Sequence, residues 1–453
     1  MNVFAPDTTY LRRTPSLLRT AHALGVCVFA GALGLLIAVV LAGASQPSAK
    51  LAIAGGVASL AVLALALVRY EAAAALGMLI FGVVFVQPAP PDAVLMIVIA
   101  VAIVTGRLTL RSIPLPIVAL VSAFLVLNLV SAVFAVSPGR VGFFLLTTAY
   151  LCAFAIWLTG FVDSFHRARV IMAPLVAGGV ASAGVGVAVL YLNFPGKSLL
   201  DFSDGLRARG FFKDPNVFGP FCVFVALLVI SELLEPKLLR ARRATKFVLL
   251  AILALGVIFA GSRAAWLNAA VATVTMFVAY GLRRGGGRKA AAILVTLIVL
   301  AAAGSLALVA SGSAGFLGSR AHFQQYDNQR FGAQEQGLKL VQHYPFGIGP
   351  GQFELDVNYA SHSTYVRVLA EQGFLGLFVM IALLLATLGL ATRNVVIGRD
   401  THGIGSVPLL AALCGTVANS AFVDTLHWRH LWLLFGLIWA GAMQSSGDSS
   451  GEA

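Results

Sequence analysis

Apolar stretches of roughly 15–25 residues, separated by short polar connectors, run along the chain from one end to the other. They predict fourteen membrane-spanning helices, at about 20–43, 51–68, 72–86, 91–105, 114–136, 141–162, 168–193, 216–234, 247–260, 264–282, 290–311, 366–391, 405–421 and 431–444. An α-helix rises about 1.5 Å per residue, so stretches of this size match a bilayer core of about 30 Å. Inside lipid a helix satisfies its own backbone hydrogen bonds, which makes it the expected element. The fold class is therefore an all-α polytopic membrane protein with about 12–14 transmembrane helices. Two connectors, 194–215 and 312–365, are long, and long connectors tend to carry function. In the second, Phe331, Gln334, Leu338 and Val341 recur near one helical face until Pro345 stops the pattern.

Composition excludes the soluble classes: 59% of the 453 residues are hydrophobic and 11% charged, against about 25% charged in a soluble domain. A net charge of +13 would suit nucleic acid, but its distribution explains it without that partner. Of the 31 basic residues, 19 lie on alternate short connectors. These are Arg12, Arg13 and Arg19; Arg69; Arg107 and Arg111; Arg167 and Arg169; Lys237, Arg240, Arg242, Arg243 and Lys246; Arg283, Arg284, Arg288 and Lys289; and Arg393 and Arg399. The positive-inside rule then places both termini in the cytoplasm and both long connectors outside. "LRRTPSLLRT" and the later "AGA" at 42–44 resemble a signal peptide. The run Ala21–Ala42 is too long for its apolar region and reads as an uncleaved first span. Cys27, Cys152, Cys222 and Cys414 sit inside apolar runs without a CxxC pattern, so neither disulfides nor structural zinc are expected.

Three polar stretches meet the outer surface: "RARGFFKDPNVFG" at 207–219, "GSRAAW" at 261–266 and "SHSTYVRVLAEQGFLG" at 361–376. The predicted span 247–260 is only about 21 Å long, which puts the turn bearing Arg263 below the outer surface. A cation there either snorkels outward or holds an anion. Arg207 stands in a polar loop, and Asp214-Pro215-Asn216 reads as a helix start in which Asn216 is structural. Arg367 and Glu371 are i,i+4 and form a neutralising structural pair. A helix starting near 362 puts Glu371 half a turn away from His362, so the two are no acid–base pair. His362 then faces the outer vestibule alone, either satisfied locally or catalytic. "YPFGIGPG" lacks the Gly-Lys-Ser/Thr of a phosphate loop and reads as a tight surface turn. Asp424, His427 and His430 form either an interfacial belt with Trp428 and Trp432 or a zinc site; the belt is preferred and no metal is expected.

With "HYPFGIGPGQF" placed between the second and third stretches, this order of motifs resembles the bacterial O-antigen ligase and Wzy-type polymerase family over most of residues 200–380. The resemblance implies a GT-C-type glycosyltransferase that uses neither metal nor cofactor, in the bacterial inner membrane with its active site facing the periplasm. It implies a donor glycan on undecaprenyl pyrophosphate and an acceptor that is lipid A-core or a lipid-linked glycan, within membrane lipids. Carried over, Arg207 and Arg263 bind the pyrophosphate, with Arg209 competing for the first role and Arg330 a further candidate; His362 acts on the acceptor. Ser363 departs from the Asn common at that position. The implied organisation is an N-terminal bundle at 1–193, a catalytic core at 194–391 containing the loop 312–365, and C-terminal helices with a short tail at 392–453. Ligase and polymerase remain alternatives. A transporter of the same glycan is disfavoured, because polar groups gather at the outer surface and no internal repeat is seen.

Overall fold

The computed structural model describes residues 49–443 apart from 86–88, 110–112, 196, 201–206, 284–285 and several positions within 313–324. The predicted first span at 20–43, Arg12, Arg13, Arg19, Cys27, Arg111 and Arg284 lie outside the described residues. The described helices are α1 (Ala49–Val68), α2 (Tyr70–Leu79), α3 (Pro90–Val104), α4 (Leu115–Ser131), α5 (Pro138–Phe161), α6 (Phe165–Tyr191), α7 (Pro215–Leu234), α8 (Arg243–Phe259), α9 (Arg263–Gly281), α10 (Gly287–Ala310), α11 (Gln325–His343), α12 (Phe353–Val357), α13 (Thr364–Val396), α14 (Ser406–Asn419) and α15 (Arg429–Met443). The other thirteen predicted spans each coincide with one of them, and α11 and α12 belong to the second long connector.

Among the described residues six helices are long and apolar enough to cross a membrane, and no strand is present. The protein is an all-α polytopic membrane protein. Proline opens α3, α5 and α7, where its missing N–H costs nothing because that group has no intrahelical acceptor. One apolar core runs from Leu63 to Ala440, with Trp157, Phe221, Trp432 and Trp439 buried in it. Within it α9 packs on α14, α7 on α8, α5 on α15 and α4 on α13.

Polar contacts gather at the two ends of this bundle. At the basic end, Glu232 accepts from the backbone N–H groups of Lys237, Leu238 and Leu239 and pairs with buried Lys246 at 3.2 Å. At the loop end, Asp92 takes both Nε and Nη2 of Arg429, and Gln352 accepts from the Ser137 N–H at 2.9 Å.

Two predicted spans need correction. The helix expected at 72–86 stops at Leu79, and the chain beyond it is tied to the first long connector by Val84 N donating to Phe211 O at 2.8 Å. The span expected at 247–260 starts earlier, at Arg243, so α8 has 17 residues and a length of about 25 Å. It is less short than its apolar residues alone suggested, because its first turn carries Arg243 and Lys246.

Candidate active site

Three of the helices that start at the loop end are capped by the polar stretches that precede them. Asp214 Oδ1 accepts from Asn216 N at 2.8 Å, Ser262 Oγ from Ala265 N at 3.3 Å and Ser363 Oγ from Val366 N at 3.4 Å. The N-termini of α7, α9 and α13 thus bring the positive ends of three helix dipoles to the loop end. Asn216, expected to serve the helix start, has another task. Its Oδ1 accepts from Ser262 Oγ at 2.8 Å and from Arg207 Nη2 at 3.1 Å. Arg207 Nε donates to Ala260 O at 2.8 Å, so this guanidinium bridges the first polar stretch to the α8–α9 turn.

Arg209 is buried and turns back on its own connector, donating to the carbonyls of Lys213 at 3.3 Å and Leu200 at 3.4 Å. Arg263 has an anionic partner within the chain. Its Nη2 pairs with buried Asp327 near the start of α11, and its Nη1 donates to His322 O at 3.3 Å. Sequence reading missed Asp327, because nothing local announces that a loop helix will fold back over a turn 64 residues away.

His362 does not belong to the helix, so the helical geometry expected between it and Glu371 does not apply. It lies just before the cap Ser363, in the left-handed region at φ 49°, a conformation that costs a side-chain-bearing residue energy and is tolerated best by Asn, Asp and His. The segment is pinned on both sides. Thr364 N donates to Ser420 O at 2.9 Å and Thr425 N to Thr364 Oγ1 at 2.7 Å. Gln334 on α11 donates to His362 O at 3.4 Å, and the Tyr359 ring lies 5.5 Å from the imidazole. Burial pushes the imidazole pKa down from 6.5 to about 4, and the Arg330 guanidinium on α11 adds to this, against Asp214 and Asp424. The imidazole is therefore neutral and able to accept a proton at ordinary pH. Arg330, Asp214 and Asp424 come from three different connectors, so His362 sits where these segments converge.

The pair Arg367–Glu371 forms at 3.0 Å with both side chains buried, and it is half of a larger cluster. Arg367 also pairs with Glu354 on α12 and with Asp424 at 2.6 Å, between the rings of Phe144 and Phe353. Glu371 further accepts from Phe353 N at 3.2 Å. Just beyond it, Gly373 breaks α13 at φ 71° and ψ −170°, a combination open essentially to glycine. A Cβ there would meet Pro345 O at 2.2 Å.

The broken helix explains "YPFGIGPG". Ile348 N donates to Ala370 O at 2.9 Å and Gly349 N to Glu371 O at 3.0 Å, while Phe374 N donates to Pro345 O at 3.2 Å. The segment is a turn as expected, but residues 347–351 are buried against the break and not on the surface.

Residues 248–381 match the family model described as O-antigen ligase. Over these residues the chain is similar to O-antigen ligases. Comparison with curated proteins gives no match. The matched residues contain Arg263, Asp327, Arg330, His362, Arg367 and Glu371, whereas Arg207, Arg209, Asn216 and Asp424 lie outside them. Asp424, His427 and His430 do not face one another around a common point. Asp424 is on Arg367, His427 Nε2 lies 2.9 Å from Thr148 Oγ1, and His430 is buried beside Trp428 and Phe221. Among the described residues no group of three His, Cys, Asp or Glu is placed to hold a metal ion.

Proposed function

We propose that the protein transfers a glycan from undecaprenyl pyrophosphate to an acceptor hydroxyl at the periplasmic face of the bacterial inner membrane. The observation that carries this is the connected path from Arg207 through Asn216 and Ser262 to Arg263, and through α11 to His362. A pyrophosphate ester already has a good leaving group, so its transfer needs charge neutralisation and an activated nucleophile. Arg207 and Arg263 suit phosphate oxygens, since a guanidinium offers a planar fork of donors. Arg209 ranks below them, because it is buried and its Nη1 and Nη2 both donate to carbonyls of its own loop. In this reading the donor competes with Asp327 for Arg263, and Arg330 lies toward the acceptor side. Neutral His362 takes the acceptor proton as the hydroxyl attacks the anomeric carbon, and undecaprenyl pyrophosphate leaves.

With the pyrophosphate charge met by arginines, the purified protein is expected to transfer glycan in the presence of EDTA. Loss of activity that one divalent ion restores would overturn that part of the reading. The acceptor separates ligase from polymerase. We favour the ligase, for which a deletion strain accumulates long polymer on undecaprenyl pyrophosphate; accumulation of single repeat units would make the protein a polymerase instead.

The orientation is tested separately. With the native cysteines replaced by alanine, Ser319→Cys in the second long connector is expected to react with an impermeant thiol reagent applied from outside. Thr245→Cys at the basic end, also exposed, is expected to stay unlabelled until the membrane is opened. Outside labelling at 245 with protection at 319 would invert the topology and exclude a periplasmic site.

A further inference from the structure

The basic end of the bundle holds a cavity of about 830 Å³, opposite the His362 site and unused by it. Three separate connectors line it: Arg69 between α1 and α2, Arg107 after α3, and Asp163 with Arg167 around the start of α6. The charges there are unevenly answered. Arg167 donates to Glu71 at 3.1 Å and to Asp163 at 2.6 Å, and His166 lies 2.8 Å from the same Glu71. Neither Arg69 nor Arg107 has a carboxylate partner among the described residues. Both are exposed on the cavity rim.

The floor is aromatic and fixed. Tyr70 accepts from Trp157 Nε1 at 2.6 Å and donates to Val98 O at 3.2 Å. Trp157 stacks on Phe161 at 4.9 Å. The Arg107 guanidinium lies 4.8 Å from the centre of the Tyr70 ring, and that of Arg167 lies 5.4 Å from the centre of the Phe161 ring. An aromatic face orients a guanidinium and leaves its N–H edge free to meet an anion. Topogenic charge needs only to be present on a connector; it does not need a cavity or a rigid aromatic floor beneath it.

We infer that this cavity is a phosphate site, in which Arg69 and Arg107 hold the headgroup of an anionic membrane lipid. The rim favours a lipid over a soluble phosphate. Val68, next to Arg69, is 81% exposed, Ile103 at the end of α3 is 57% exposed and Phe165 before Arg167 is 58% exposed. Acyl chains have apolar surface to lie on directly beside the two guanidiniums, and exclusion of water there strengthens each charge contact. The inference is independent of the transfer reaction, since none of these residues belongs to the loop end.

The test is lipid binding to the purified full-length protein in detergent, by native mass spectrometry and thermal shift. The arms are phosphatidylglycerol, phosphatidylcholine and inorganic phosphate. Wild type is expected to bind phosphatidylglycerol in preference to phosphatidylcholine. Arg69→Gln with Arg107→Gln is expected to weaken that binding by about tenfold or more. A control with the same charge loss at the same end, Arg240→Gln with Arg242→Gln, is expected to stay within about twofold. Melting without added lipid checks that each variant folds, and Arg69→Lys with Arg107→Lys keeps the charge while removing the planar forks. Equal loss in the control, or full binding by the lysine variant, would reduce the site to diffuse charge and overturn the inference. Arginine-dependent binding of inorganic phosphate without any preference among the lipids would overturn the lipid assignment.

Discussion

Replacing His362 is expected to cut glycan transfer by about 10²–10⁴-fold, the usual worth of general-base assistance. The choice of substitution matters because of the backbone. At φ 49° an alanine carries the left-handed penalty of about 1–2 kcal/mol, so His362→Ala confounds strain with chemistry. Asparagine tolerates this conformation and cannot act as a base, which makes His362→Asn the cleaner variant. Its abundance and donor binding should remain close to wild type while turnover falls by the stated factor. A well-expressed His362→Asn protein with near-normal turnover would remove the histidine from the mechanism.

The same imidazole predicts the acid side of the rate profile. Its pKa is about 4, against an ordinary 6.5, chiefly through burial and then through the Arg330 charge. The folded value lies below the unfolded one, so the neutral base is fully present above pH 6.5 and is lost only as the pH falls toward about 4. An ordinary histidine would lose about tenfold of its base form at pH 5.5, whereas transfer here should remain within about twofold of its neutral rate. Arg330→Gln should move the acid limb upward, because it removes the positive charge that opposes protonation.

Much of this could be read from the chain because membrane helices are local objects. Apolar runs located thirteen described helices, and Asp214-Pro215-Asn216 was visible as a helix start. The failures have one physical source. Asp327 beside Arg263, Glu354 and Asp424 beside Arg367, and Ser262 beside Asn216 are contacts made across the bundle. Helical periodicity carries no record of them. The burial of "GIGPG" was hidden for a related reason. A glycine-rich turn looks the same on a surface as against a broken helix until the break at Gly373 is seen. Arg367–Glu371 was legible because i,i+4 is a local spacing; the other two carboxylates were not.

Those two carboxylates set the size of the largest expected stability effect. Arg367 is 6% exposed and faces Glu371, Glu354 and Asp424, whose side chains are 0%, 30% and 23% exposed. Arg367→Met keeps much of the side-chain volume between Phe144 and Phe353 but leaves three carboxylates without their shared cation. Breaking a buried pair in this way costs about 3–5 kcal/mol, so the variant is expected to fall sharply in abundance and to melt earlier in detergent. Glu371→Gln removes the most deeply buried of the three charges. Added to Arg367→Met it should recover part of the lost stability, although alone it should destabilise. Arg367→Lys should lie between wild type and Arg367→Met, since an ammonium keeps the charge but lacks the planar fork that reaches all three carboxylates. An Arg367→Met protein with wild-type abundance and melting, but no turnover, would move this arginine out of the scaffold and into the substrate site.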